Sequence, residues 1–237
     1  MRLEKYLHDL GYGSRKEIAR LLRQREVVAD GVRVKNGAEQ VSETSAVSID
    51  GEAVAYEPEV WLMLHKPQGV ITATKDRDHE TVMALIPERY ARMGVVPVGR
   101  LDKDTTGLLL LTNDGQTAHR LMSPKGHVTK VYDVGYEGVL VEDAVARCAE
   151  GLDLGDFVTA PATLELLEGG HCTLAIREGK YHQVKRMLHA LGGVVTALSR
   201  RQFGPLALDE TLAPGQWRRL NDEEICALKA ATRGGQR

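Results

Sequence analysis

Asp102 lies in the stretch Val98 to Gly115, VGRLDKDTTGLLLLTNDG, with Arg100 two positions before it and Lys103 directly after. Cations this near favour the charged form of a carboxylate, so Asp102 is expected to be ionised. An ionised carboxylate on a loop can attack an electrophilic carbon or phosphorus, or it can simply cap the turn by accepting backbone N–H bonds. Further along, Tyr132 in KVYDV and His182, Lys185 and Arg186 in EGKYHQVKRML supply an aromatic ring, an imidazole and two cations. Taken alone, Tyr132 reads as packing within a strand, and Lys185 and Arg186 as a solvated face or phosphate contacts. Adjacent residues on a helix point in different directions, so only one of Lys185 and Arg186 can face a common site.

These side chains need a scaffold. The four leucines Leu108 to Leu111 are too short a run for a free-standing helix and fit a strand buried on both faces. Asp102 then occupies the loop feeding that strand, between Gly99 and a turn at Thr105-Thr106-Gly107, and loops on a rigid scaffold are where reactive groups gather. Other short apolar runs, VWLMLHK, VVPVG, KVYDVGY, ATLELLEGGHCTLAI and GGVVTALSR, alternate with helical segments around 117–122, 142–150 and 182–191. The alternation lacks a regular βαβ period. The fold class is therefore α+β, a mixed, largely antiparallel sheet with packed helices. At the N-terminus, Ser14 and Glu17 form a capping box that starts a helix near Arg15, with Arg15, Lys16, Arg20 and Arg23 turned away from Ile18, Leu21 and Leu22. Asp30-Gly31 between valine-rich runs predicts a hairpin, and residues 39–59 read as one last strand and a linker. The domains are 1–56, a helix-and-hairpin module, and 57–231, the main body, followed by a frayed tail at 232–237.

The chain has 237 residues, 43% hydrophobic and 27% charged, which places it among globular proteins. Its formal charge of −2 hides local asymmetry. Residues 1–35 hold nine basic side chains against five acidic, residues 36–60 hold six acids and no Lys or Arg, and residues 176–201 set six basic side chains against Glu178. Two separate basic patches favour a nucleic-acid partner. No apolar run reaches the roughly 18 residues of a membrane span, so a cytoplasmic location is expected. Cys148, Cys172 and Cys226 lie far apart without metal-ligand spacing and are expected to be buried, reduced thiols. The sequence shows no P-loop, no GxGxxG after a strand and no metal-ligand spacing, so no metal site is expected.

Asp102, Asp104 and Thr106 resemble the DxDx[TV] signature of haloacid-dehalogenase-like phosphatases, in which the first Asp attacks phosphorus beside Mg²⁺. Two features speak against it. Thr112 follows Asp102 by only ten residues, whereas a parallel crossover needs about a dozen or more, and Pro97 cannot donate within a central strand.

A broader resemblance covers nearly the whole chain. LMLHKPQGV, GRLDKDTTGLLLLTNDG, KVYDV, EGKYHQVKRML and LAPGQWRRL, in this order, resemble the ribosomal small-subunit pseudouridine synthase A family, and residues 2–34 resemble the S4-type RNA-binding domain that precedes its catalytic domain. The resemblance implies a cofactor-free isomerase of ribosomal RNA in which Asp102 is the nucleophile acting on a flipped-out uridine. It further implies that Tyr132 stacks on the extruded base, that Arg100 fills the gap the base leaves, and that Lys185, or else Arg186, pairs with Asp102. His182 would orient the loop, Asp104 would be structural, and Lys66 and Arg186 would meet RNA backbone together with Arg15, Lys16, Arg20 and Arg23. The short chain is similar to the enzymes acting on 16S rRNA more than to those acting on 23S rRNA. A non-catalytic ribosome-assembly factor on the same fold is the alternative, and a monomer suffices for either.

Overall fold

The computed structural model describes residues 1–123 and 128–232. Two compact units make up the chain, Met1–Val60 with Ile86–Val96, and Trp61–Leu85 with Pro97–Arg237. Ile86–Val96, left in the second domain by the sequence, thus belongs to the first unit, and apart from Thr232 the expected frayed tail lies outside the described residues.

In the first unit, helices α1 (Leu3–Asp9), α2 (Arg15–Gln24) and α3 (Glu88–Arg92) accompany strands β1 (Val27–Ala29), β2 (Val32–Arg33), β3 (Val47–Ile49) and β4 (Glu52–Ala53). The strands form an antiparallel sheet in the order β2-β1-β3-β4. The capping box is present: Glu17 N–H donates to Ser14 Oγ at 3.4 Å, and Ser14 N–H donates to Glu17 Oε2 at 2.7 Å. Ile18 and Leu22 are buried with Leu3, Tyr6, Val27 and Ile49, while Arg15, Lys16, Arg20 and Arg23 are exposed. Both Asp-Gly pairs turn hairpins with left-handed backbone, Asp30 and Gly31 at φ 49° and 79°, Asp50 and Gly51 at φ 50° and 85°. The one strand expected over 39–59 is therefore a hairpin of two. Helix α1 carries no sequence signal of its start, because Arg2 at its N-cap makes no side-chain capping bond.

The second unit contains β5 (Trp61–Lys66), a 3-10 turn (Val82–Leu85), β7 (Thr106–Thr112), α4 (Gly115–Met122), β8 (Lys130–Gly138), α5 (Ala144–Glu150), β9 (Thr163–Leu167) and β10 (His171–Ile176). It continues with α6 (Gln183–Ala190), β11 (Gly193–Phe203), β12 (Leu206–Ala207), β13 (Trp217–Arg219) and α7 (Asp222–Ala231), and the two-residue β6 (Val96–Pro97) stands at the sequence junction of the units. The main path of its mixed sheet is β13-β5-β7-β11-β8-β10-β9, antiparallel except where β7 runs parallel to β11. Strand β7 lies inside this sheet, and Leu108, Leu109, Leu110 and Leu111 are each 0% exposed. Burial of a leucine side chain stabilises by about 1.5–3 kcal/mol, so this strand anchors whatever its ends carry.

Three further corrections come from this unit. Gly107 is inside β7 rather than in the turn before it. Cys148 and Cys172 are buried, and burial pushes both thiols up to about 11, but Cys226 is exposed on α7. Helix α7 itself was unanticipated although Asn221 and Glu224 form a second capping box.

Gly107 has φ +101°, and a Cβ there would stand 2.3 Å from the Arg200 carbonyl oxygen and 2.6 Å from its amide nitrogen. Only glycine lets β7 approach β11 this closely. Gly107→Ala should therefore lower unfolding free energy by about 3 kcal/mol or more in urea titration, and a change within about 0.5 kcal/mol would contradict the close approach.

Candidate active site

Asp102 is on the loop entering β7. The loop is closed by Thr105 N–H donating to the Asp102 carbonyl at 3.1 Å. Before the aspartate, the Thr72 hydroxyl donates to the Leu101 carbonyl at 2.8 Å and accepts the Leu101 N–H at 3.2 Å. After it, the Lys66 ammonium donates to the carbonyls of Thr105 at 2.8 Å, Pro67 at 3.0 Å and Lys103 at 3.4 Å, and Gly69 N–H reaches the Lys103 carbonyl at 2.8 Å. Backbone on both sides of Asp102 is thereby tied to fixed neighbours.

Lys66 is 0% exposed, which corrects its expected contact with RNA backbone. Its charge is spent inside the protein. Burial pulls the ammonium down to about 8, against the opposing pull of the Asp104 and Asp102 carboxylates. Thr72 was not singled out by sequence, and no local pattern marks it, since its partner lies 29 residues away.

The Asp102 carboxylate is one-third exposed, with Lys185 Nζ 3.4 Å from Oδ2 and His182 Nε2 3.6 Å from Oδ1. Lys185 bonds Asp104 more closely, at 2.6 and 2.8 Å. Burial lowers the Lys185 pKa, but the Asp104 hydrogen bond and the Asp102 charge outweigh it and leave the ammonium raised. Asp104 is held below the usual carboxylate range by the Lys185 bond. Lys185 is thus shared by two carboxylates. Arg186 turns the other way, forming an ion pair with Asp156, donating to the Leu154 carbonyl at 3.0 Å, and lying 5.2 Å from the Phe157 ring centre.

Tyr132, 7% exposed on β8, joins Asp102 in one open pocket of about 80 Å³, with Arg100, Lys185, His182 and the apolar Ile176 and Leu198 also on its walls. The pocket combines an acid, a neighbouring cation, a flat ring and apolar walls. That set suits a planar polar ring carried on a sugar, with the carboxylate at the bond to be broken. Among the described residues no three His, Cys, Asp or Glu side chains converge to hold a metal ion.

The second basic patch is much reduced by the fold. Arg200 is 2% exposed, its Nε donating to the Leu108 carbonyl at 2.8 Å and its guanidinium 5.1 Å from the Phe203 ring centre. One of its terminal nitrogens has no hydrogen-bond partner. Arg201 meets Asp133 at 3.4 Å and Glu210 at 3.3 Å. The exposed cations of α2 therefore form the more open basic surface.

Comparison with known proteins gives the family. The sequence model described as RNA pseudouridylate synthase matches residues 60–190, and the S4 domain matches residues 1–52. An uncharacterized RNA pseudouridine synthase of Bacillus subtilis, YtzG, is 44% identical, covering 96% of this chain and 98% of its own. Ribosomal small subunit pseudouridine synthase A of Salmonella typhimurium is 42% identical over 96% of this chain and 100% of its own, and that of Escherichia coli K12 is 40% identical at the same coverage. A solved structure described as a pseudouridylate synthase superposes with a TM-score of 0.68 at 39% identity, covering 96% of this chain and 99% of that one. With a family match across more than half its length and such relatives along nearly all of it, the chain belongs to the RNA pseudouridylate synthase family.

Proposed function

We propose that the protein converts a uridine of small-subunit ribosomal RNA to pseudouridine, with Asp102 acting on a nucleotide swung out of its stack. The observation that carries this reading is the convergence of Asp102, Lys185 and Tyr132 on one pocket. The names of the small-subunit relatives supply the choice of RNA.

The reaction breaks the C1′–N1 bond, turns the uracil and forms a C1′–C5 bond. N1 gains a proton and C5 loses one, with no net oxidation. Positive charge builds on C1′ as the first bond breaks, and an ionised carboxylate opposes it. Lys185, with its ammonium 3.4 Å from the Asp102 carboxylate, orients it. Withdrawing the nucleotide from folded RNA costs a few kcal/mol, and stacking on an aromatic ring such as Tyr132 returns about 1–3 kcal/mol. Arg100, exposed at the pocket, takes the gap left in the RNA. Arg15, Lys16, Arg20 and Arg23 bind phosphates and carry little sequence information. Arg186, held by Asp156, contributes at most from the 30% of its side chain that stays exposed. The enzyme works as a cytoplasmic monomer needing no cofactor.

Asp102→Asn should abolish tritium release from C5-tritiated 16S rRNA transcript, a loss of about 10³-fold or more, while affinity for the RNA stays within about twofold. Activity equal to the unaltered protein would sink the assignment, and release only from a 23S transcript would move the target to the large subunit. Reversing charge with Arg15→Glu and Lys16→Glu together should weaken RNA binding about tenfold or more in moderate salt and flatten its salt dependence. Unchanged affinity would remove α2 from the docking surface.

A further inference from the structure

Every Phe, Tyr and Trp of the described residues is buried or half-buried except Tyr181, which is 76% exposed. A large ring left in water forgoes the burial that stabilises most aromatic side chains, and rings of this kind are enriched where a partner binds. Tyr181 is also next to the reacting group. It stacks on His182, ring centres 3.8 Å apart and planes 18° from parallel, and His182 Nε2 is 3.6 Å from the Asp102 carboxylate. A continuous path leads from the carboxylate through the imidazole to a flat outer face.

The ring is also held in place. Gln183, 3% exposed, donates from Nε2 to Glu178 at 2.7 Å and accepts the Lys180 N–H at 2.9 Å, while Glu178 accepts the Ala160 N–H at 2.9 Å. His182 adopts a left-handed backbone, φ 49°, at the entry to α6. Residues on either side of Tyr181 are thus pinned, which lowers the ordering cost of any contact it makes.

From this arrangement we infer that Tyr181 is a stacking platform for the unpaired nucleotide next in sequence to the target uridine. The inference rests on the assignment of that uridine to the Asp102 pocket. A nucleobase on the outer face of Tyr181 extends the Tyr181–His182 stack. Every base has such a face, so Tyr181 selects for an unpaired flank and not for a base identity. Substrate RNA is then single-stranded on this side of the target when the enzyme acts.

The test uses the full-length protein with Tyr181→Ala, Tyr181→Leu, Tyr181→Phe and Tyr181→Trp. Tritium release from C5-tritiated 16S transcript gives KM and kcat, and a fluorescein-labelled single-stranded decauridylate gives Kd. The Ala and Leu variants should raise KM and Kd about tenfold while kcat changes by less than about threefold, and Phe and Trp should restore both. KM and Kd unchanged in the Ala and Leu variants would overturn the platform and leave the ring to a protein partner. A Phe variant as impaired as Ala would overturn it too, since the hydroxyl would then be the active group. If the unaltered protein releases no tritium from either ribosomal transcript, the proposed function fails by itself, and the decauridylate affinities still judge the platform by the same criteria.

Discussion

A buried ammonium holds the loop that carries Asp102. Lys66 is wholly removed from water, a placement that costs several kcal/mol for an unpaired cation, yet its three N–H bonds match three carbonyls, two of them on the loop just after Asp102. The Asp102 and Asp104 carboxylates add favourable charge from a greater distance. With Thr72 bonding Leu101 on the other side, the position of Asp102 follows from the interior of the second unit rather than from the loop's own preferences. The four leucines of β7, each wholly buried, anchor that interior directly beside the polar loop.

Charge near the aspartate follows from the same packing. Arg100 and Lys103 are its neighbours in sequence, but the cation that meets it comes from α6, more than eighty residues further on. Lys185 also serves Asp104, so neither carboxylate holds the ammonium alone. Arg186, one residue later, faces Asp156 instead, as helical geometry requires when its neighbour faces the pocket. Under the proposed function, the exposed cations of α2 and the pocket of the second unit divide the work by chemistry, sequence-tolerant phosphate contact in one and bond rearrangement in the other.

Local signals were readable where local physics decides. Ser14 with Glu17 announced α2, Asp30-Gly31 announced a hairpin, and the leucine run announced a strand buried on both faces. Asp50-Gly51 and the Asn221 to Glu224 box carried the same kinds of signal and show that β4 and α7 were also within reach. Helices α1 and α3 were not, being short and capped by no side chain. Gly107 read as a turn glycine because its true constraint is the backbone of Arg200, a partner that only the folded sheet supplies. Lys66 and Arg200 misled for a related reason: lysine and arginine are so seldom fully buried that composition assigns them to the surface, and only their carbonyl partners reveal otherwise. The pocket residues Asp102, Tyr132 and Lys185 were found through the order of motifs along the chain, since their spacing alone also fits a cap, a packed ring and a solvated face.

The account turns on whether the Lys66 ammonium positions Asp102. Single-turnover pseudouridine formation by Lys66→Met at saturating enzyme, with circular dichroism confirming the fold, tests it most directly. The rate constant should fall about 100-fold, as expected when a reacting group is displaced by about 1 Å, while RNA affinity is retained. A rate constant equal to that of the unaltered protein would contradict the claim.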